Sequence, residues 1–375
     1  VSDTDAVRAP GIAIAAGGVG LAAWLIKAGR PVPEAMGGRA TGARAARMAA
    51  SPEWSNGRFH NQQLRFEPSS RSLAGGLKDF VSGRQSRHPV GDVPLVRGAL
   101  GALPEGTRVT WLGHSTVLVQ IDGAVVLLDP VWSDRCSPSQ QVGPRRLHPV
   151  PVALRDLPPV DAVVISHDHY DHLDMDSIKD LARLRHETRF VVPLGIGAHL
   201  EKWGVPADRI DELDWHEDTK VAGVRLVATP AQHFSGRGLS RDGTLWASWV
   251  LEGETSKVFY SGDTGYFVGF AQIGERYGPF DLALVQVGAY DTGWPTIHMT
   301  PEHGVEAAMD VGAAAMVPVH WGTFNLAFHP WSEPIERVLV EAERHGMRVV
   351  VPRPGEPVDV SALPDGPSFW WRSVT

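Results

Sequence analysis

The chain has 375 residues, a formal net charge of −8 and a single cysteine, Cys136. That length suffices for one large domain or two with a sizeable core. The acidic balance offers nucleic acid no basic face, and one thiol excludes an intrachain disulfide framework. Residues 1–50 are rich in Ala, Gly and Arg, with an apolar run from Gly11 to Ile26 flanked by Lys27 and Arg30. The run is shorter than the roughly 20 residues of a spanning helix, and its glycines weaken it as a helix. Asp3 and Asp5 offset Arg8, and no small-x-small cleavage site follows, so a tail or weak membrane anchor is expected there rather than an export signal. Residues 51–106 carry Arg, Gly, Pro and Ser and are expected as an irregular extension wrapping the main domain at 107–375.

From Arg108 onward the punctuation becomes regular. Strands are expected at Val109–Trp111, Val117–Ile121, Val125–Leu128 and Ala162–Ile165, parted by short turns such as Asp122-Gly123. Helices are expected at 175–184, 197–203, 270–277, 301–311 and 334–345. Thr300-Pro301-Glu302 supplies a cap, a first-turn proline and an acid, and Gly346 a stop. Strands then helices, twice over, predict two mixed sheets packed face to face with helices outside.

The densest chemistry is Ser166-His167-Asp168-His169-Tyr170-Asp171-His172, directly after the apolar, strand-like Asp161–Ile165. Imidazoles and carboxylates crowded this closely suit a shared divalent cation, zinc or another borderline ion. A His-rich surface loop is the bland alternative. Three later strand-like runs weaken it, because each also ends on His or Asp. Val224–Ala228 leads to His233, Lys257–Tyr260 to Asp263, and Ala315–Val319 to His320. Asp168 is given no ligand role, and Cys136, remote from these clusters, is expected as a tolerated or buried thiol.

The run His167-x-His169-x-Asp171-His172 with His233, Asp263 and His320 resembles the metallo-β-lactamase superfamily. Trp111-Leu-Gly-His-Ser115, Leu128-Asp-Pro130, Ser137-Pro-Ser-Gln140, Gly143-Pro144, Gly262-Asp-Thr-Gly-Tyr266, Gly288-Ala-Tyr290 and His320-Trp-Gly-Thr-Phe324 narrow the resemblance over roughly 107–355. They are similar to the N-acylphosphatidylethanolamine-hydrolysing phospholipase D branch. The resemblance implies a four-layer αββα sandwich of mixed α/β class. It implies two zinc ions, with iron or manganese as alternatives. His167, His169 and His233 would hold one ion, Asp171, His172 and His320 the other, and Asp263 would bridge them. Asp171 and Asp263 thereby enter catalysis, in which water activated by the metals attacks phosphorus.

The family pattern also places His114 just behind the ligands. Asp129 is either a carboxylate orienting a ligand imidazole or a plain turn residue before Pro130. His298 is either a surface histidine or a catalytic group that binds phosphate or protonates the leaving alkoxide. Tyr290, Trp294 and Trp321 would line an apolar groove for acyl chains. The implied partner is a phospholipid or other phosphodiester, with peripheral membrane contact, no nucleic acid, and a homodimer left open. The expected location is cytoplasmic, membrane-associated through the N-terminal segment. Deleting residues 1–45 is then expected to spare turnover of a water-soluble phosphodiester.

Rival readings remain. A hydrolase of thioesters or other acyl substrates shares the full ligand set. A flavo-diiron oxidoreductase would place Glu at position 169 and add a flavin domain.

Overall fold

The computed structural model describes residues 32–63, 86–98, 100, 106–238 and 240–375. The described chain begins with two short helices, α1 (Val32–Ala35) and α2 (Gly42–Ala49), and a small hairpin of β1 (Trp54–Ser55) and β2 (Arg58–Phe59). Strands β3 (Thr107–Gly113), β4 (Thr116–Ile121) and β5 (Ala124–Leu128) then form an antiparallel meander. It continues in parallel through β6 (Ala162–Val164), β7 (Arg189–Pro193) and β8 (Ile210–Leu213). Helices α3 (Met175–Leu184) and α4 (Gly197–Lys202) fall between these parallel strands.

The second sheet repeats this plan. β9 (Asp218–Val221), β10 (Val224–Thr229), β11 (Ser248–Glu252) and β12 (Lys257–Tyr260) run antiparallel, and β13 (Leu282–Gln286), β14 (Ala315–Val319) and β15 (Arg348–Val349) follow in parallel. Helices α5 (Gly269–Tyr277), α6 (Pro301–Asp310) and α7 (Glu333–His345) connect them. Finally β16 (Pro357–Asp359) returns to pair with β3, which gives each sheet seven strands.

Alternation along the strands builds the layers. Val126, Leu128, Val164 and Val191 join Leu226, Trp249 and Phe259 in the core that spans both sheets. Their neighbours Val125, Leu127, Val163 and Val192 pack instead with Ile178 and Leu181 of α3 and Leu200 of α4. Both faces are covered, so these strands read as unbroken apolar runs. The result is the expected αββα sandwich. Asp174 caps α3 by accepting from the Ser177 N–H, Thr300 caps α6 likewise, and Gly346 ends α7 at φ 68°.

Several strands escape the sequence reading. β8 (Ile-Asp-Glu-Leu) and β9 (Asp-Thr-Lys-Val) are sheet edges whose charges hide their period. β13 (Leu-Ala-Leu-Val-Gln) is composed mostly of good helix formers, and its central place in the sheet overrides that preference.

The boundary expected at residue 50 needs correction. Residues 32–50 dock on the domain through specific partners. Ala35 and Met48 are buried. Arg44 pairs with Glu201 at 2.9 Å and also with Glu212, which in turn accepts from the Gly195 N–H at 2.7 Å. Lys202 donates to the carbonyls of Pro33 and Gly37 at 2.8 and 2.7 Å. Truncation to residue 45 would therefore strip docked helices, and the expectation of unaffected turnover does not extend to them. The apolar run at 11–26 lies outside the described residues. No helix among the described residues is long and apolar enough to cross a membrane.

Candidate metal centre

Every proposed metal-ligating side chain lies just beyond the C-terminal end of a strand. His167, His169, Asp171 and His172 follow β6, His233 follows β10, Asp263 follows β12 and His320 follows β14. His114 and Asp129 occupy the same positions after β3 and β5. β3, β5 and β6 run in one direction in their sheet, as do β10, β12 and β14 in theirs, so these ends align, and packing the sheets face to face brings both rows to one edge.

The turns that aim the side chains are unusual. His114, Asp129 and His320 have φ of 51°, 38° and 64°, a region that non-glycine residues seldom occupy. Neighbouring glycines make room. A Cβ on Gly288 would stand 2.1 Å from the His320 carbonyl oxygen, and one on Gly265 would stand 2.1 Å from that of Thr296.

The ligand atoms fall into two groups sharing one carboxylate. His167 Nε2 lies 2.9 Å from His169 Nδ1, which lies 3.3 Å from His233 Nε2. Adjacent donors around a tetrahedral ion with bonds near 2.0–2.1 Å sit about 3.3 Å apart, so this trio has metal-shell spacing. In the second group, Asp171 Oδ2 lies 3.5 Å from His172 Nε2 and 3.3 Å from His320 Nε2. Asp263 Oδ2 stands between the groups, 3.1 and 3.0 Å from His172 and His320 Nε2, and 3.8 and 3.9 Å from His167 and His233 Nε2.

The buried Nε2 atoms of His172 and His320 and Oδ1 of Asp263 have no hydrogen bond among the described residues. Buried polar atoms left this way need another partner. Metal ions would supply it, and the His and Asp donor set fits them.

Electrostatics agree. Burial and the repulsion of neighbouring imidazoles hold His167 far below the usual histidine range; His233 is also held well below it, burial outweighing the nearby Asp263. Both therefore offer free lone pairs. Burial also opposes protonation of His320, but Asp263 and Asp171 outweigh it and raise the group to about 9. The carboxylate side of the cluster thus attracts positive charge, a place a metal ion can take.

The residues behind the ligands are well defined. Asp129 accepts from His172 Nδ1 at 2.6 Å, from the Ser166 N–H at 2.7 Å, and from the hydroxyls of Ser166 and Tyr260. It orients the His172 ring, beyond any part in the turn. His114 donates from Nε2 to Asp171 Oδ2 at 3.0 Å, since burial first and then His320 lower its pKa to about 3. Its carbonyl also accepts from the His320 N–H at 2.9 Å. Asp168 faces away from the ligands, accepting from the Gly236 N–H at 2.6 Å.

His298 does reach the cluster, with Nδ1 3.9 Å from Asp263 Oδ2 and its ring centroid 5.2 Å from those of both His233 and His320. The aromatic groove is less open than expected. Trp321 is only 2% exposed and packs against both Trp111 and Trp370, its ring centroid 5.5 and 5.4 Å from theirs. It belongs mostly to the core, because neighbouring indoles cover it, and it meets only the narrow pocket beside His320. The Tyr290 hydroxyl donates to Glu333 at 2.5 Å and its ring stacks on His329. Trp294 is half-buried and donates to the Ala289 carbonyl at 2.9 Å.

Sequence reasoning missed several groups that serve the site. Ser166 bonds Asp129 and lies 2.9 Å from His167 Nδ1. The Ile297 carbonyl accepts from His233 Nδ1 at 3.0 Å, which leaves Nε2 as the lone pair. Arg237, fully buried, donates to the carbonyls of Ala35, Asp168 and Leu173 at 2.8, 2.6 and 2.7 Å. Asn61, in the extension, brackets the main chain of His233. Ser166 adjoins a ligand and could have been suspected; the others carry no local signal.

Comparison with known proteins agrees with this geometry. The beta-lactamase superfamily domain matches residues 125–321. A Mycobacterium tuberculosis protein is 49% identical over 374 residues, covering 96% of this chain and 98% of its own length. N-acyl-phosphatidylethanolamine-hydrolyzing phospholipase D 1 of Caenorhabditis elegans is 41% identical over 232 residues, 59% of this chain and 65% of that protein. Among solved structures, a metallo hydrolase from Ignicoccus hospitalis superposes with a TM-score of 0.53 at 25% identity, over 67% of this chain and 97% of that one. With its sandwich, its strand-end His and Asp cluster and these relatives, the chain belongs to the metallo-β-lactamase superfamily of metal-dependent hydrolases.

Proposed function

We propose that the protein is a phosphodiester hydrolase with two zinc ions, cleaving N-acylphosphatidylethanolamine or a related phospholipid in the manner of a phospholipase D. The observation that carries the two-ion part is Asp263 Oδ2, placed within 3.0–3.9 Å of ligand nitrogens from both groups. The phosphodiester part is supported by the 41% identity to the nematode phospholipase D and by His298 beside the bridge. Imidazole and carboxylate donors suit zinc, and they also suit iron or manganese.

When bound, two such ions lower the pKa of water toward about 7 and stabilise both oxygens of an in-line displacement at phosphorus. The chain's own residues do the rest. Asp129 and Ile297 fix the tautomers of His172 and His233, so each presents Nε2 as a lone pair. His114 holds the Asp171 carboxylate. Burial, against the opposing pull of Asp263, lowers the His298 pKa to about 3, so its ring is neutral and donates a hydrogen bond to a phosphoryl oxygen. A lipid substrate suits a cytoplasmic enzyme in peripheral contact with the bilayer.

Hydrolysis in ¹⁸O-water tests the bond cleaved. Attack at phosphorus places the label in phosphatidic acid and none in the N-acylethanolamine. Label in a fatty acid, or turnover of thioesters alone, would move the chain to acyl hydrolysis. The role of His298 is tested by leaving group. His298→Ala is expected to slow aryl and alkyl phosphodiesters alike, because a neutral donor stabilises both equally. Selective slowing of the alkyl ester would show that the ring delivers a proton instead.

A further inference from the structure

The metal ligand His233 lies in the turn beyond β10, where no strand ladder serves its main chain. A residue from the far N-terminal side takes that place. Asn61 Oδ1 accepts from the His233 N–H at 2.9 Å, and its Nδ2 donates to the His233 carbonyl at 2.7 Å. The carboxamide thus makes the paired contacts of a neighbouring strand, satisfying a donor and an acceptor that would otherwise be orphaned. The same Oδ1 accepts from Trp246 Nε1 at 3.1 Å, which fixes the amide plane. Nearby, Gln232 Nε2 donates to the Gln63 carbonyl at 3.1 Å. Residue 61 stands outside the 125–321 stretch that matches the superfamily domain.

We infer that Asn61 is a positioning residue for the three-histidine ion, acting through His233 rather than touching the ion. His233 is then held at three atoms: its N–H and carbonyl by Asn61, and Nδ1 by the Ile297 carbonyl. The ring can point only Nε2 toward His169, 3.3 Å away. Loosening the main-chain pair frees the backbone to tilt and spreads that spacing. The second ion should be indifferent, because His172 is held by Asp129, and His320 by the His114 carbonyl. The arm itself stays docked without Asn61, through Met48, through Arg44 with Glu212, and through the Ala35 carbonyl on Arg237. Position and fold are therefore separable at this residue.

The inference rests on the two-ion reading, and the test distinguishes them. Zinc-loaded wild type, Asn61→Ala and Asn61→Asp are challenged with EDTA while a chromogenic indicator follows zinc. His233→Ala marks which release phase belongs to the three-histidine ion. Asn61→Ala is expected to release that ion about tenfold faster, the scale of lost outer contacts, with the other phase unchanged. The unfolding midpoint of the zinc-free protein should fall modestly and to a similar extent in Asn61→Ala and Asn61→Asp, the cost of leaving the His233 main chain unpaired. Asn61→Asp fills the same space but sets an oxygen against the His233 carbonyl, so it should share the defect. An Asn61→Asp protein like wild type would reduce the residue to a space filler and overturn the inference. So would unchanged phases in Asn61→Ala, or equal acceleration of both. A wild type with one ion overturns the two-ion reading; unchanged release of that ion in Asn61→Ala would then overturn the inference as well.

Discussion

Asp263→Ala protein is expected to retain at most one zinc ion per chain and to lose more than about 100-fold in turnover, beyond the range for groups that act only behind a ligand. The carboxylate is the group placed between the two sets, with Oδ2 3.0–3.1 Å from His172 and His320 and 3.8–3.9 Å from His167 and His233. On the two-ion reading, removing it would delete a ligand from both shells and the negative charge that offsets four imidazoles. Elemental analysis of the purified variant and wild type reads the result. Two ions retained by the variant would refute the bridge, and a single ion in active wild type would refute the binuclear centre. His320→Ala should strip the ion held with Asp171 and His172 first. Equal loss at both positions would show that the ligands are wrongly divided.

Arg237→Ala is expected to cost about 3 kcal/mol or more of folding stability, because it takes the side-chain donor from three buried carbonyls, each worth about 1–3 kcal/mol when left unsatisfied. Its guanidinium donates to the carbonyls of Asp168, inside the ligand run, and Leu173, just after it, and to the carbonyl of Ala35 in the arm. It is also sandwiched over Tyr170 at 4.0 Å and Trp203 at 5.0 Å. The variant loses these bonds and stacks together. Arg237→Lys should recover only part, because an ammonium lacks the planar fork that reaches several acceptors and stacks on rings. Chemical denaturation measures both. A shift of about 0.5 kcal/mol or less, typical of surface changes, would show that the arginine is dispensable.

How far the sequence could be read follows from where each interaction lives. The ligand positions were legible because each follows a short apolar run, and an unbroken apolar run that stops at His or Asp is a local signal. Helices α3 and α6 were legible from local pattern as well, α6 with its cap at Thr300. Asn61 and Arg237 were not, since their partners lie 172 and up to 202 residues away and neither sits in a motif. Trp321 misled because adjacency to His320 suggested a rim, whereas beyond the left-handed turn at His320 the indole packs against Trp111 and Trp370. The docked helices α1 and α2 misled through composition. Ala-rich and Arg-rich sequence resembles a tail until Glu201 and Glu212 are found opposite Arg44.

The return of β16 to the first sheet has a consequence for synthesis on the ribosome. Strands β3 to β8 are made together, and each pairs with a close predecessor, so that sheet can assemble early. Its outer edge along β3 stays unpaired until Pro357–Asp359 emerges, nearly the whole domain later. An open strand edge is a template for wrong partners. The nascent protein therefore carries an exposed seam while its second half is being translated. His167, His169, Asp171 and His172 wait through the same interval for His233, Asp263 and His320. Ion uptake into the finished cluster and closure of the seam consequently belong to the last stage of maturation.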